Sequence, residues 1–213
     1  FEQLNIVYRG TEKAERIAYY QAMCDYKMKD YILAEHRFTQ FLRNYPGSSF
    51  SQECQFLSAY CNYLMSPTFS LDQRETAEAM RSFQKFAMDY PESSKIDSVN
   101  MLIDELRNKI EYKEYKAAIL YYKMESYRAA TSALKNFLSA YPNSQFKEEV
   151  QFALLESSYL LAKNSVPDKK VERIEEAMKA YTTFASRFPE SKQIATADQM
   201  QEDLLSQLET AKN

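Results

Sequence analysis

The chain has 213 residues, 45% of them hydrophobic and 27% charged, with a formal net charge of −3 and a pI near 5.5. Such a chain can bury a substantial core, and it lacks the global positive field that attracts nucleic acid or acidic lipid. No run of 18 or more apolar residues predicts a bilayer span. Two glycines, Gly10 and Gly47, are too few for hairpin sheets or for glycine-rich phosphate loops, so the chain is expected to be mostly helix.

The opening stretch FEQLNIVYRG has neither the basic-apolar-small pattern of a signal peptide nor an initiator Met, and reads as a fragment or processed form. Next comes a helix-period segment in which Tyr19, Met23 and Tyr26 fall at i, i+4 and i+7. A second segment ends at NYPGSSF, residues 44–50, and that junction returns as DYPESSK from 89, AYPNSQF from 140 and RFPESKQ from 187. Counted back from Pro46, Pro91, Pro142 and Pro189, position −12 is always alanine: Ala34, Ala79, Ala130 and Ala177. Position −8 holds Phe38, Phe83, Leu134 and Tyr181, and position −5 holds Phe41, Phe86, Phe137 and Phe184. Position −1 is aromatic, and position +2 is Ser48, Ser93, Ser144 or Ser191.

Steps of four, three and four line one face of an α-helix. Proline stops that helix, and the serine after it is a natural N-cap for the next. The run from Ser49 to Gln52, SFSQ, fits a capping box. Tyr8 and Arg9 stand as a degenerate earlier junction, with Phe1 at −8 and Gly10 matching Gly47.

Successive junctions lie 37, 45, 51 and 47 residues apart. Alanine, then phenylalanine, then proline in units of two antiparallel helices is the tetratricopeptide (TPR) pattern. Its excess length is placed in connectors, MSPTFSLDQ around Pro67 and KNSVPDKKVE around Pro167, and in a long or doubled helix within the 51-residue interval. Ile194, Ala197, Met200, Leu204, Leu205 and Leu208 give the tail an apolar side. The expectation is an all-α TPR solenoid over 1–213. Its parts are the end of a truncated repeat at 1–10, repeats at 11–47, 48–92, 93–143 and 144–190, and a closing helix at 191–213.

Chemistry has little to work with. His36, the one histidine, lies off the apolar stripe and reads as solvated. No metal-ligand motif occurs, and Cys54 and Cys61, seven apart on one helix, are too far apart to bridge. No catalytic residue, metal or cofactor is assigned, and the chain is read as non-enzymatic. The aromatic residues are the better lead, 17 Tyr and 13 Phe. Adding 37 to Tyr19, Met23 and Tyr26 gives Phe56, Tyr60 and Tyr63. In TPR register these six line the groove that holds a partner peptide; the same spacing also suits rings that only pack helix on helix. Tyr112, Tyr115, Tyr121 and Tyr122 read as internal packing of the long helix.

The run FAMDYPESSKIDSVNMLIDELRNKIEYKEYKAAILYYKMESYRAATSALKNFLSAYPNS resembles the BamD family of outer-membrane assembly lipoproteins. The likeness lies in the YPxS junction, the Y-x-E-Y of the long helix, the YY after it and the second YPxS. Junctions of the YRGT and FPES kind look like a Bacteroidetes-type member. The resemblance implies a scaffold at the periplasmic face of the outer membrane, held by an acylated N-terminal cysteine for which mid-helix Cys24 is no substitute. It implies partners: the last periplasmic POTRA module of the insertase BamA, the other BAM lipoproteins, and the targeting segments of unfolded outer-membrane β-barrel proteins. Carried over, the insertase contact falls on the units from about Ile96 onward, and the targeting segment on the six-residue ridge. The competing reading is a periplasmic TPR adaptor for another envelope assembly, in cell division, peptidoglycan or pilus work. A cytosolic carboxylate-clamp co-chaperone is disfavoured because Tyr19 and Met23 cannot make the clamp.

Overall fold

In the computed structural model, which describes residues 12–212, helix follows helix and no strand occurs among the described residues. They are α1 (Glu12–Lys27), α2 (Tyr31–Asn44), α3 (Ser51–Met65), α4 (Arg74–Asp89), α5 (Ile96–Lys123), α6 (Tyr127–Ala140), α7 (Lys147–Lys163), α8 (Pro167–Arg187) and α9 (Ile194–Lys212). The degenerate junction at Phe1, Tyr8, Arg9 and Gly10 lies outside the described residues.

One set of hydrogen bonds serves all four proline junctions. The N–H of the aromatic residue before proline closes the helix onto the −5 phenylalanine: Tyr45 to Phe41 (2.8 Å), Tyr90 to Phe86 (2.9 Å), Tyr141 to Phe137 (2.8 Å) and Phe188 to Phe184 (2.9 Å). The aromatic carbonyl then accepts from the +2 serine N–H at 3.1–3.2 Å, a β-turn with proline at its second position. The serine Oγ accepts the N–H two residues on, at 3.0 Å from Phe50, 3.3 Å from Lys95, 3.0 Å from Phe146 and 3.1 Å from Gln193. The serine therefore caps a turn placed ahead of the helix. The expected capping box at Ser49–Gln52 does not form: α3 begins at Ser51, and its N-cap Phe50 has no side-chain cap.

The stripe is the core. Ala34, Ala79, Ala130 and Ala177 are all 0% exposed, and the −5 phenylalanines at most 3%. Alanine lets the neighbouring helix close in, and each buried ring contributes on the order of 1.5–3 kcal/mol. Phe38, Phe83 and Leu134 at −8 are buried as well. Tyr181 departs from them. It is half-buried, because a tyrosine must find water or an acceptor for its hydroxyl, and it donates to Asp198 at 2.8 Å.

Two further expectations change. KNSVPDKKVE is mostly helix, with Pro167 the first residue of α8, where proline's missing N–H costs nothing. Leu205 points outward, since it sits about 100° around the helix from its buried neighbour Leu204. The connector around Pro67 stays non-helical between α3 and α4, and the long helix is one continuous α5 of 28 residues.

The chain divides into two compact units, Phe1–Ile110 and Glu111–Asn213. In the first, α1, α2 and α3 enclose Ala22, Phe38, Phe41 and Cys54, while α3, α4 and the first part of α5 enclose Ala59, Phe83, Phe86 and Leu106. In the second, the rest of α5 packs with α6 and α7 around Leu134 and Phe137, and α7, α8 and α9 close on Phe184, Ile174 and Leu204. Each unit has the successive helix-pair packing of a TPR-like solenoid.

The second unit repeats the first, at an offset of 96 residues through Pro46 and Pro142 and of 98 at Pro91 and Pro189. Residue 29 and residue 125 both end a helix with a positive φ, 63° at Lys29 and 56° at Glu125. Both turns carry the same paired bonds, Lys29 N–H to Tyr26 O (3.0 Å) with Asp30 N–H to Asp25 O (3.0 Å), and Glu125 N–H to Tyr122 O (3.0 Å) with Ser126 N–H to Tyr121 O (3.1 Å). That is a Schellman closure, whose left-handed position favours glycine. Lys29→Gly and Glu125→Gly should each raise stability by about 0.5–1 kcal/mol, read as a higher urea midpoint at unchanged slope.

Candidate partner-binding site

The two aromatic triads stand on α1 and α3, each the first helix of a pair. Tyr19 is buried, stacked on Phe50 at 4.4 Å and edge-on to Phe41 at 6.5 Å. Burial, then the Glu53 carboxylate, hold its hydroxyl well above the usual phenol range. Met23 and Tyr26 are half-buried against the same cluster, with Tyr26 6.0 Å from Tyr31. Burial also raises Tyr26, and the neighbouring Tyr60 adds to the effect.

On α3 the rings form a ladder. Phe56 and Tyr60 stack at 5.9 Å with an 11° interplanar angle, and Tyr60 and Tyr63 at 5.5 Å and 19°. Phe56 reaches inward to Phe83 (6.2 Å) and Phe86 (5.7 Å) of α4, while the Lys95 Nζ lies 4.5 Å from its centroid. The Tyr63 hydroxyl donates to Glu105 at 2.9 Å, and burial with that bond pushes it up to about 12. Phe56 packs against the α1–α2 cluster as well as against α4, so the structure brings the two triads together there. Tyr19 is the exception in exposure; the other five are half-buried, each with some surface to offer.

Such a ridge offers π-faces, a cation over Phe56 and tyrosine hydroxyls, the chemistry of non-covalent recognition. Lys95 and Glu105 belong to it and escaped the sequence pattern, because both lie one helix pair further along the same unit, across a packing contact. Tyr112 and Tyr115 lie inside the second unit as expected, with Tyr115 stacked on Phe146 at 4.1 Å. Tyr122 packs there too, but Tyr121 is exposed, about 100° around the helix from its neighbour Tyr122.

His36 is exposed, on the rim of a cleft between α1 and α2. Among the described residues no group of three His, Cys, Asp or Glu could hold a metal ion. All three cysteines are free; Cys54 and Cys61 are buried, which pushes both thiols up to about 12, and Cys24 is exposed. A thiolate-selective reagent at pH 8 should therefore label Cys24 alone in the native protein and all three in denaturant, as counted by intact mass.

Among the described residues no helix is long and apolar enough to cross a membrane. The YfiO family model, described as an outer membrane lipoprotein, matches residues 1–135, a stretch containing both triads. No curated protein matches the chain.

Proposed function

Because the chain belongs to the YfiO family of outer membrane lipoproteins, we propose that it is a BamD-type, non-enzymatic scaffold of outer-membrane β-barrel assembly, of the Bacteroidetes kind. It works at the periplasmic face, held by an N-terminal lipid, and joins the BamA POTRA module and the other BAM lipoproteins to incoming barrel proteins. The observation that carries this reading is the family match over residues 1–135, which spans the aromatic ridge. In this reading the aromatic-terminated targeting segment of an unfolded barrel protein lies along Met23, Tyr26, Phe56, Tyr60 and Tyr63. Buried Tyr19 supports the ridge from below. Recognition is non-covalent and sequence-tolerant, as stacking on rings is.

The test is a pull-down with an immobilised C-terminal peptide of an outer-membrane β-barrel protein. Wild type should be retained, and Tyr60→Ala with Tyr63→Ala should lose retention at least tenfold, a loss of about 1.4 kcal/mol. A thermal melt run in parallel separates lost binding from lost packing, since both rings also touch the α3–α4 cluster. Equal retention of the folded double variant removes the ridge from the assignment.

A further inference from the structure

Leu154, Ser157 and Ser158 of α7 lie 37 residues after Ala117, Leu120 and Tyr121 of α5, and 96 after Ser58, Cys61 and Asn62 of α3. The six residues on α3 and α7 are buried. On both helices the second helix of the preceding pair closes this side. Ser58 donates to Glu35 of α2 at 3.2 Å, and Cys61 packs in one cluster with Phe38 and Phe41 of α2. Leu154 packs in one cluster with Leu134 and Phe137 of α6.

On α5 the same side is open. Leu120 is 55% exposed and Tyr121 45%, and Ala117 and Met124 are exposed with them, at i, i+3, i+4 and i+7 along one stripe. The open residues are also the more apolar, for the six buried counterparts include three serines and an asparagine. A single exposed leucine is ordinary; a contiguous apolar stripe marks a place where another surface lands.

The length of α5 accounts for the opening. It has 28 residues, against 15 in α3 and 17 in α7. Steps of three, four and seven carry one line from Val99 through Leu106 and Ile110 to Ala117, Tyr121 and Met124. The early part of that line is covered, since Val99 and Leu106 pack with Phe83 and Phe86 of α4. The later part continues the same apolar interface without a cover from the second unit. Beside it, α5 and α6 form a groove of about 460 Å3 lined by Ala117, Tyr121, Ala133, Asn136, Ala140 and Tyr141, with Glu114 a turn before Ala117. Three alanines let a helix backbone close in between the two rings.

We infer that the α5–α6 face binds an amphipathic helix of a partner protein, seated as α2 is on α3 and α6 on α7. α6 has 14 residues, about 21 Å, so four turns of helix span the groove. The chain itself supplies the polarity. α2 runs antiparallel to α3, and Arg43 in its last turn lines the cleft shared with Gln55, whose counterpart on α5 is Glu114. A partner helix laid the same way brings its last turn to Glu114. Lysine or arginine there meets the carboxylate and suits the negative end of the partner's own dipole. The face shares no residue with the aromatic ridge and does not depend on the ridge's occupant.

The test is fluorescence anisotropy with the full chain and a labelled, end-capped, alanine-based helical peptide with leucines at i, i+3, i+4 and i+7, glutamate in its first turn and arginine in its last. A peptide of the same composition, reordered to break that period, is the comparison. The ordered peptide should bind at least tenfold tighter. Leu120→Glu with Tyr121→Lys should weaken it at least tenfold at unchanged melting temperature, and Ala117→Lys, a single exposed change, should do the same. Met88→Glu with Met101→Glu, equally exposed in the first unit, should leave binding as it is. Equal affinity for the two peptides overturns the proposal, as does a folded Ala117→Lys variant that binds as wild type does. A dimer in sedimentation, or retention on phosphatidylglycerol vesicles, that Leu120→Glu with Tyr121→Lys abolishes would give the face to a second copy or to lipid and overturns it too. Neither peptide is a barrel targeting segment, so failure here leaves the ridge untouched, and the converse holds.

Discussion

Phe86→Ala should cost about 3–5 kcal/mol, the range for truncating a fully buried aromatic residue in a packed interior. The Phe86 ring is 0% exposed, with centroids of Phe56 at 5.7 Å and Tyr90 at 5.4 Å. Its backbone carbonyl also accepts the junction bond from Tyr90 N–H at 2.9 Å, so the residue both fills the core and anchors the helix stop. Alanine keeps that carbonyl but leaves a void bounded by α3, α4 and the first part of α5, which cannot all collapse onto it. Urea unfolding of the full chain measures the loss as a lower midpoint. Tyr181→Ala is the comparison: its ring is half-buried and its hydroxyl bond lies at the surface, so it should lose about 1 kcal/mol. A loss below 1 kcal/mol at Phe86 contradicts a core built on the −5 position. The expected larger loss also leaves the ridge residue Phe56 on a softened floor, linking stability to recognition.

The fold was legible where a residue type has one physical use. Alanine at −12, phenylalanine at −5 and proline at 0 recur because close approach, ring filling and helix termination each demand that side chain. Legibility failed where another residue stood in for the usual one. Lys29 and Glu125 hold the left-handed positions that glycine marks elsewhere, so the 96-residue duplication left no glycine to find. Ser48 and its counterparts cap a turn rather than a helix, a difference of one turn that composition does not carry. Of the candidate ridge, the spacing of Tyr19, Met23 and Tyr26 fixed a shared face but not its depth, and Tyr19 lies beneath it. A polar period on α3, Ser51, Ser58 and Asn62, was readable, yet such a period on a helix ordinarily marks its solvated side. Only packing shows that it is buried.

Tyr115→Phe combined with Tyr122→Phe should lower stability by about 2–3 kcal/mol, less than two independent hydrogen bonds to charged acceptors would give. Both tyrosines stand on α5 and reach α7: Tyr115 donates to Glu149 at 2.7 Å and Tyr122 to Glu156. Glu149 is exposed and regains water when its donor is deleted, so that half of the loss is the smaller. Glu156 is half-buried and stays partly unsatisfied. Tyr63 to Glu105 and Tyr159 to Asp203 repeat the device, so each unit fastens successive first helices by a phenol on a carboxylate. Burial first, then the acceptor carboxylate, raises the pKa of Tyr115, Tyr122 and Tyr63, the last to about 12. The folded state therefore keeps these protons above pH 10, where an unfolded tyrosine releases its own. Stability from the clasps is complete below about pH 10 and declines as pH rises through the folded values. Urea midpoints between pH 8 and 11.5 should fall above pH 10 for wild type, and less steeply for the double variant. Parallel curves would detach the alkaline transition from these contacts, whereas converging curves place it at the seam between successive helix pairs.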